Sequence, residues 1–436
     1  MKDISRRDFL KYVGAGAVGL MARPGLPLLG GDRLDPSTVV QCHDAGATTG
    51  PDINEPVVQV MMDESIKALT GENSVGAAWK SVFPGITTDS VIGIKVNCIN
   101  RYLATHPKFV NTIVSGLAQM NISGSDFPKN NIIVWDRTDY ELTSSGYTIY
   151  DGNDPDTERC FGTNHSGIGY DSSNPLNVAG VTSNPSKIIS QICEFIIDAG
   201  VLRTHVQGGV TLCLKNNYGS VHNPGSLSHI SHCTPSVPAL NAQIRDVLSP
   251  TDKQKLFVVD GMFGMYSGGP GGQPNFNPKL LVMSKDIVAC DAQGQNVINA
   301  ERQNRGLQPV NCRHITMASQ PPYELGTTEI SLIEINNPTG IRTGHKRVAA
   351  DAGIRVSPHP VRRSANVAFS LPFAATVSLD LVGSSGQTVA RIFGGSLTAG
   401  EHRVPMRLNG RVAAGTYVLR LKAGGSSRSR SITVLK

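Results

Sequence analysis

The chain has 436 residues, 39% hydrophobic and 17% charged, a composition typical of a globular protein with room for two or three domains. The net charge of +6 is unevenly distributed along the chain. Residues 1–30 contain five Lys or Arg and two Asp, and residues 361–436 contain eleven Lys or Arg and two acidic residues. Residues 31–360 therefore carry a net charge of about −6. A mildly acidic middle argues against a nucleic-acid partner and for separate modules.

The N-terminus carries an export motif. Residues 5–11, Ser-Arg-Arg-Asp-Phe-Leu-Lys, match the bacterial twin-arginine pattern at every specified position, and a short Gly- and Ala-rich run follows at 12–22. This run falls short of the roughly 20 apolar residues that a transmembrane helix needs. We predict that 1–30 is a twin-arginine signal peptide. The translocase is then a partner during export, and the mature chain works in the periplasm, at the cell surface or outside the cell.

Strands alternate with helices through the middle of the chain. Short apolar runs predict buried strands at 38–42, 90–96, 131–136, 202–206, 255–260 and 280–284. Amphipathic spacing, caps and first-turn prolines predict helices at 55–69, 73–82, 107–120, 186–199 and 286–304. This alternation predicts an α/β core domain with a largely buried sheet over residues 31–330.

The pattern changes beyond residue 330. Residues 331–360 are predicted to form a connector with one or two strands. From residue 361 to residue 436, apolar and polar positions alternate between glycine-bearing turns that recur about every 8–12 residues. This spacing predicts a small all-β sandwich at the C-terminus.

The C-terminal tail resembles an Ig-like module of flagellar-hook-capping-like domains and of type IX C-terminal sorting domains. The matching segments are 356–360, 369–372, 386–389, 397–402 and 414–421. His359 stands where that family usually has Asn, and the family's Trp is missing near Met406 or Leu408. The resemblance implies a β-sandwich. It leaves two roles open, a sorting or anchoring module that meets outer-membrane or cell-surface secretion machinery, and a plain stability domain.

Residues 38–310 resemble the family called domain of unknown function 362, including its twin-arginine-exported members. The likeness rests on short motifs at 93–97, 105–107, 203–205, 211–216, 259–261 and 286–291. Arg203 stands where the family usually has Lys. Some members carry ferredoxin-type iron–sulfur segments, but none of the eight cysteines here forms Cys-x-x-Cys, so that cofactor is not expected. The resemblance implies a fold and a site location without a reaction.

Polar residues at strand ends predict the position of a site. In open α/β sheets, ligands bind beyond the carboxyl ends of the strands. Lys95, Asn97, Asp136 and Asp260 are expected at such ends. A lysine on a buried strand is costly unless it is paired or used, so Lys95 either pairs with Asp136 or Asp260 or contacts the ligand.

A cationic segment supplies the second group of candidates, which is Arg203, His205, Lys215, Asn216 and Asn217. Guanidinium, ammonium and amide groups beside two glycines suit an anion such as a carboxylate or a phosphate. The alternative is a loop held by hydrogen bonds to its own backbone. In an enzyme, Lys215 and Arg203 would stabilise negative charge while His205 moves a proton.

The catalytic candidates are His205, Lys215 and Asp260. The predicted ligand-binding residues are Lys95, Asn97, His106, Asp136, Arg203, Asn216 and Asp291. For the last of these, Asp291, the alternative is an ordinary acid in the first turn of a helix. His106 is expected either to complete a metal site or to cap the helix that begins at Pro107.

Four residues that could bind a metal lie within twelve positions, namely His222, His229, His232 and Cys233. Imidazole and thiolate are ligands of Zn, Fe and Cu, so this segment predicts a transition-metal site. The spacing matches no standard zinc signature, and the alternative is a set of solvent-exposed or backbone-bonded histidines.

Three functions follow from these residues. The first is an exported protein whose α/β cleft binds a small anionic ligand, with or without a metal ion. The second is a periplasmic carrier of a metal or redox cofactor without turnover, and the third is a surface-attached binding protein. Gly-x-Ser-x-Gly and His-Glu-x-x-His are both absent from the sequence, so nothing favours a hydrolase.

Overall fold

The apolar runs in the middle of the chain form a nine-stranded sheet. This computed structural model describes residues 36–340, 354–371, 375–383, 387–398, 400–408, 412–423 and 426–435. The predicted signal peptide lies outside these residues. The chain divides into two compact units, residues 1–342 and 343–436. No helix in the described ranges is long and apolar enough to cross a membrane.

The strands of the first unit are numbered in chain order. They are β1 (Ser37–His43), β2 (Ile92–Lys95), β3 (Ile132–Asp136), β4 (Arg159–Gly162), β5 (Phe195–His205), β6 (Gly209–Thr211), β7 (Gln254–Met265), β8 (Leu280–Ser284) and β9 (Ile330–Asn336). Their spatial order is β9-β1-β8-β7-β5-β2-β3-β4, and β6 pairs with β5. Strands β7, β5, β2, β3 and β4 are mutually parallel, so their carboxyl ends meet at one edge.

The helices of this unit are α1 (Glu55–Thr70), α2 (Val75–Val82), α3 (Pro107–Leu117), α4 (Asp139–Ser144), α5 (Cys213–Asn216), α6 (Ser236–Val247), α7 (Ile287–Asn304) and α8 (Arg313–Ala318). Local signals fix their ends. Helix α1 stops at Gly71, whose φ of 77° is left-handed. Helix α7 begins where the carboxylate of Asp286 accepts hydrogen bonds from the N–H groups of Val288 and Ala289.

The sheet is covered on both faces. Neighbouring residues of β7 point to opposite sides, so Val258 joins one apolar core and Val259 joins the other. Helices α1, α2 and α3 pack into the core of Val258, and α6, α7 and α8 pack into the core of Val259. All eight cysteines are buried and free, as expected for small apolar side chains. The core is therefore a mixed α/β domain with a mostly parallel sheet.

The predicted helix at 186–199 is wrong. Residues Ile188–Ile192 form a short π-helical segment, and the chain is already extended from Phe195 to His205. Every residue of this strand is buried. A strand buried on both faces has no alternation of apolar and polar residues, so its pattern cannot be told from that of a buried helix. Lys215 itself lies on a single helical turn, Cys213–Asn216.

The second unit contains two antiparallel sheets. Its strands are β10 (Arg355–Ser357), β11 (Ser364–Leu371), β12 (Ala375–Val382), β13 (Thr388–Leu397), β14 (Gly400–Arg407), β15 (Gly415–Ala423) and β16 (Ser426–Val434). One sheet has the order β10-β11-β14 and the other β13-β12-β15-β16. Side chains of both sheets share one apolar cluster, for example Phe369 with Leu421. This arrangement is compatible with the predicted all-β module. The connector was predicted to begin at residue 331, but the structure places β9 (Ile330–Asn336) in the sheet of the first unit.

Candidate functional site

A cavity of about 380 Å³ lies beside the carboxyl ends of β2 and β3. Eight of the predicted site residues line it, namely Lys95, Asn97, Asp136, Arg203, His205, Lys215, Asn216 and His229. This is the position that open α/β sheets use for ligands. The β5–β6 hairpin forms another wall, because it contributes Arg203, His205 and Thr211.

Lys95 is fully paired. Its Nζ donates to Asp136 Oδ1 at 2.7 Å, to the carbonyl of Val96 at 2.6 Å and to Asn216 Oδ1 at 3.3 Å. An ammonium group has three hydrogens, so each has an acceptor. Asp136 is equally occupied, because its carboxylate also accepts from the N–H groups of Cys98 and Arg137. Of the alternatives for Lys95, the structure shows the ion pair with Asp136.

Gly219 covers this ion pair. A methyl group added at Gly219 would lie 3.0 Å from both Asp136 Oδ1 and Lys95 Nζ. The glycine lets the backbone approach the charged pair closely. The side chain of Lys95 is only 1% exposed and that of Asp136 is 5% exposed. The pair is therefore enclosed between the sheet and this turn.

Amide side chains extend the network towards Asp198. Asn216 accepts from Asn97 Nδ2 at 3.1 Å and donates to Asp198 Oδ1 at 2.8 Å. Asn217 donates to Asp198 Oδ2 at 3.2 Å. Burial raises the pKa of Asp198 to about 7, because a fully desolvated carboxylate is disfavoured. We call Lys95, Asp136, Asn97, Asn216 and Asp198 the paired network.

Arg203 is buried with one nitrogen unpartnered. Its two terminal nitrogens donate to Asn97 Oδ1 at 2.6 Å and to the carbonyl of Leu103 at 3.0 Å. Its Nε is buried and has no partner among the described residues. Thr211 lies directly opposite Arg203 in the β5–β6 hairpin, and its hydroxyl is also buried and unpartnered there. Such groups normally find a protein, water or ligand partner.

His205 is held as a neutral hydrogen-bond donor. Its Nδ1 accepts from the N–H groups of Gln207 at 3.1 Å and Gly208 at 2.9 Å, so the ring proton sits on Nε2. Burial, followed by the charges of Lys215 and Arg203, lowers the pKa of His205 to about 3. A ring in this state is suited to donating a hydrogen bond and poorly suited to accepting a proton.

Lys215 is a buried amine without an ion-pair partner in the described part of the chain. It is 9% exposed, and no hydrogen bond of its Nζ occurs among the described residues. The Nζ lies 4.9 Å from the centre of the Tyr218 ring. Burial is the main cause of its lowered pKa, and the charge of Arg203 lowers it further. We call Arg203, Thr211, His205 and Lys215 the open donors.

Asp291 does not line the cavity but holds the helix that carries Lys215. Its two carboxylate oxygens accept from the N–H groups of Cys213 at 2.8 Å and Leu214 at 3.0 Å. Burial raises the pKa of this carboxyl well above its usual range. Asp291 therefore positions the first turn of α5, which is a supporting role and differs from the predicted ligand contact.

Asp260 and His106 line a separate cavity of about 70 Å³. The carboxylate of Asp260 accepts from the N–H groups of His106 and Met262, both at 3.0 Å. Burial raises its pKa to about 6. The ring of His106 accepts from the N–H of Lys108, so it caps α3. Neither residue lines the larger cavity with the other candidates.

The four predicted metal ligands are not brought together. The rings of His222 and His232 accept from the N–H groups of Asn184 and Arg313, which are far apart in sequence. The ring of His229 bonds to the carbonyl of Leu227, and the thiol of Cys233 is buried near the carbonyl of His229. Across the described residues, no three His, Cys, Asp or Glu side chains form a group that could hold a metal ion. The rings of these three histidines therefore form hydrogen bonds with backbone groups, which was the alternative interpretation of this segment.

Thr211, Asp198 and Tyr218 are site residues that the sequence analysis missed. A signal existed for Asp198, because a carboxylate inside the apolar run 195–202 has to be accommodated. Thr211 and Tyr218 carry no such signal, since threonine and tyrosine are ordinary residues in strands and in cores.

The core is thus a mixed α/β domain with a cavity beside the carboxyl ends of its parallel strands. Residues 92–296 match the family described as Domain of unknown function (DUF362). This match includes β2, β3, the β5–β6 hairpin and α5, and so all of the open donors. No curated protein matches the chain.

Two solved structures are similar at low scores. One is an uncharacterized protein from Bacillus anthracis strain Ames, 14% identical over 19% of this chain and 80% of that chain, with a TM-score of 0.16. The other is a protein from Thermotoga maritima, 8% identical over 59% of this chain and 60% of that chain, with a TM-score of 0.34. At these scores neither likeness carries an argument about fold or function.

Proposed function

We propose that the cavity beside β2, β3 and the β5–β6 hairpin binds a small anionic ligand through a carboxylate or phosphate group. The open donors would hold that group. The observation that carries the proposal is that four donors line one cavity, while Arg203 Nε and the Thr211 hydroxyl are buried without protein partners in the described chain. Lys215 Nζ has no hydrogen-bond or ion-pair partner there and lies 4.9 Å from the centre of the Tyr218 ring. A buried donor left unpaired costs about 1–3 kcal/mol, and an anion would remove that cost.

The charge of the cavity supports an anion. Its lining contains four cationic residues, Lys95, Arg137, Arg203 and Lys215, and one carboxylate, Asp136. Asp136 is already paired with Lys95, and Arg137 is paired with Glu141 at 3.0 Å. The excess positive charge therefore falls on Arg203 and Lys215, at the wall that also holds the unpartnered hydroxyl. Desolvated charges attract an opposite charge strongly, because little water screens them.

His205 would act as a neutral donor to the same ligand. Its Nε2–H completes the open donors without adding a positive charge. We therefore assign His205 a hydrogen-bonding role in place of the proton transfer expected from the sequence. A ring with a pKa of about 3 remains neutral at ordinary pH. A neutral imidazole can still polarise a carbonyl or stabilise a developing oxyanion.

The proposal also assigns the protein to the exported fraction of the cell, on the strength of the motif at residues 5–11. The basic C-terminal unit would then serve as a sorting, anchoring or stability module. Changing both Arg6 and Arg7 to Lys should leave the chain in the cytoplasm, as measured by cell fractionation. Unchanged export of that variant would remove this part of the proposal and leave the binding site untouched.

Isothermal titration of the full chain with inorganic phosphate and with pyruvate tests the binding site. Lys215→Met keeps most of the apolar stem and removes the charge, so affinity should fall at least about tenfold, or about 1.4 kcal/mol. Lys67→Met is the matched control, because Lys67 lies on α1 and pairs with Glu64 at the surface. Equal affinity of wild type and Lys215→Met for both anions would refute the proposal.

A further inference from the structure

The amine of Lys215 is chemically different from the other buried lysines of the core. Lys95 has three acceptors, and Lys253 donates to the carbonyls of Ile189 at 2.6 Å and Cys193 at 3.0 Å. Each of those two amines is committed to its partners. The Nζ of Lys215 has no such partner among the described residues and belongs to the wall of a cavity of about 380 Å³.

The surroundings of Lys215 make its amine easier to deprotonate than that of an exposed lysine. The side chain is 9% exposed, its stem packs near Gly208, and Arg203 contributes a second positive charge to the same wall. The other titratable groups that influence or face it are Cys233, Tyr218, His205, His229 and His314. Burial and Arg203 lower the pKa of Lys215, and only the thiol of Cys233 acts in the opposite direction. A desolvated lysine beside another cation is the usual arrangement of an amine nucleophile.

We infer that Lys215 forms an imine with the carbonyl group of a small oxo acid, whose carboxylate is held by the remaining open donors. The inference rests on the proposed anion site and narrows its ligand class. A carboxylate would accept from Arg203 Nε and from the Thr211 hydroxyl, the two unpartnered groups that face each other across the β5–β6 hairpin. The neutral Nε2–H of His205 would donate to the carbonyl oxygen and polarise it.

The step balances without an outside oxidant or reductant. The lone pair of the neutral Lys215 amine forms a bond to the carbonyl carbon, and the carbon–oxygen bond breaks. The oxygen leaves as water with the two amine hydrogens, and the imine takes one proton from solvent to become an iminium ion. The positive charge of the iminium ion withdraws electrons from the adjacent carbon, which is how lysine imines activate oxo acids.

Reductive trapping tests the inference. The full chain is incubated with pyruvate or acetoacetate and sodium cyanoborohydride, which converts an iminium ion to a stable secondary amine, and the modified lysine is located by peptide mass spectrometry. Lys215 should be modified faster than any other lysine by on the order of tenfold, since proximity to a bound carbonyl raises the local concentration. Acetone, which has no carboxylate, should react more slowly with Lys215 by a similar factor.

Lys215→Arg is the matched variant, because it keeps the charge that holds an anion but cannot form this imine. Trapping should disappear in Lys215→Arg and persist in Lys67→Arg. Phosphate affinity that depends on Lys215, together with no trapping in the wild type, would overturn the imine and leave the anion site standing. Two results together would overturn carboxylate recognition and with it the proposed function. They are trapping at Lys215 that is as fast with acetone as with pyruvate, and no affinity of the protein for phosphate.

Discussion

Two lysines in one cavity have opposite surroundings. Lys95 ends a buried strand and gives all three of its hydrogens to Asp136, Val96 and Asn216. Lys215 lies on a short helix held by Asp291, and its amine has no hydrogen-bond or ion-pair partner in the described chain. Both side chains are nearly inaccessible, at 1% and 9%. Burial alone therefore does not distinguish them, whereas the number of acceptors around each amine does.

The difference separates two tasks within the site. The paired network satisfies its own polar groups and fixes the shape of the cavity, since a fully bonded buried network is rigid. The open donors leave polar groups unsatisfied in the protein alone, which costs stability unless something else binds to them. Mutations in the paired network should therefore act mainly on folding, and mutations of the open donors should act mainly on binding.

The largest effect is expected from breaking the buried ion pair. Lys95→Met leaves Asp136 buried without its cation, and removing one partner of such a pair typically costs about 3–5 kcal/mol. The free energy of unfolding, measured with urea, should fall by that amount. Lys215→Met removes a desolvated charge that has no protein partner, so we expect its unfolding free energy to change by less than about 1 kcal/mol.

The double variant Lys95→Met/Asp136→Asn sharpens this contrast. It should recover part of the stability lost in Lys95→Met, because the neutral amide no longer requires a counter-charge. If Lys95→Met and Lys215→Met destabilise the protein equally, the two lysines do not differ as we describe.

The next effect is a pH dependence of stability that comes from two buried carboxyl groups, Asp198 in the paired network and Asp260 beside the smaller cavity. The folded pKa of Asp198 is raised to about 7 from an ordinary value of 3.8, and that of Asp260 is raised to about 6. The native state therefore keeps protons that the unfolded chain releases. Stability from these groups is complete below about pH 4 and is lost as the pH rises through the folded pKa values.

Between pH 6 and pH 7, Asp198 should contribute to the slope and Asp260 should contribute little, because Asp260 has mostly lost its proton there. Each such group changes the unfolding free energy by on the order of 1 kcal/mol per pH unit. Urea unfolding of Asp198→Asn should show a flatter profile in this window, whereas Asp260→Asn should keep the wild-type slope there. The same slope in wild type and Asp198→Asn would show that Asp198 does not retain its proton.

A smaller loss is expected at the turn that covers the ion pair. Gly219→Ala places a methyl group 3.0 Å from Lys95 Nζ and Asp136 Oδ1, so the pair or the turn must move. Overpacking of this kind costs about 1–3 kcal/mol. Gly225→Ala is the matched control on the rim of the same cavity, because its methyl group would meet no atom within 4 Å. Thermal unfolding of the two variants should separate them, and equal midpoints would mean that the ion pair tolerates displacement.

Much of the fold follows from local sequence signals. The strand at Leu280–Ser284 and the helix that ends at Asn304 were predicted to the residue or nearly so, because a five-residue apolar run is too short for a typical helix and an Asp cap marks a helix start. The first part of the strand Phe195–His205 was predicted as helix, because it is buried on both faces and has no periodicity that excludes a helix. Tertiary burial decided its conformation.

The site was predictable only as far as strand ends could locate it. Lys95 and Asp136 end neighbouring parallel strands, so their meeting follows from the rule for open sheets. Thr211 could not be found in this way. It matters because the register of a hairpin sets it opposite Arg203, and that register is a property of the folded backbone. Asp260 was expected at a strand end, but β7 continues to Met265, and Asp260 lines another cavity.

The smallest expected effect on stability comes from the hydroxyl of Thr211, and it tests the distinction between the two groups most directly. Thr211→Val preserves the shape of the side chain and removes a buried hydroxyl that has no protein partner in the described structure. Without ligand, the variant should be as stable as wild type or more stable by up to about 1 kcal/mol, because an unpaired polar group no longer has to be desolvated. Its affinity for pyruvate should fall by about 10- to 150-fold, since one hydrogen bond to a charged group contributes about 1.5–3 kcal/mol.

Thr105→Val is the matched control for Thr211→Val, and it should behave in the opposite way. The hydroxyl of Thr105 is equally buried but donates to the carbonyl of Ala199 at 2.8 Å and accepts from the N–H of Asn97 at 2.9 Å. Removing this hydroxyl takes a hydrogen-bond partner from two buried backbone groups. The unfolding free energy, measured with urea, should therefore fall by about 1–3 kcal/mol. If Thr211→Val were destabilised as much as Thr105→Val, the hydroxyl of Thr211 would have a partner within the protein, and Thr211 would no longer count among the open donors.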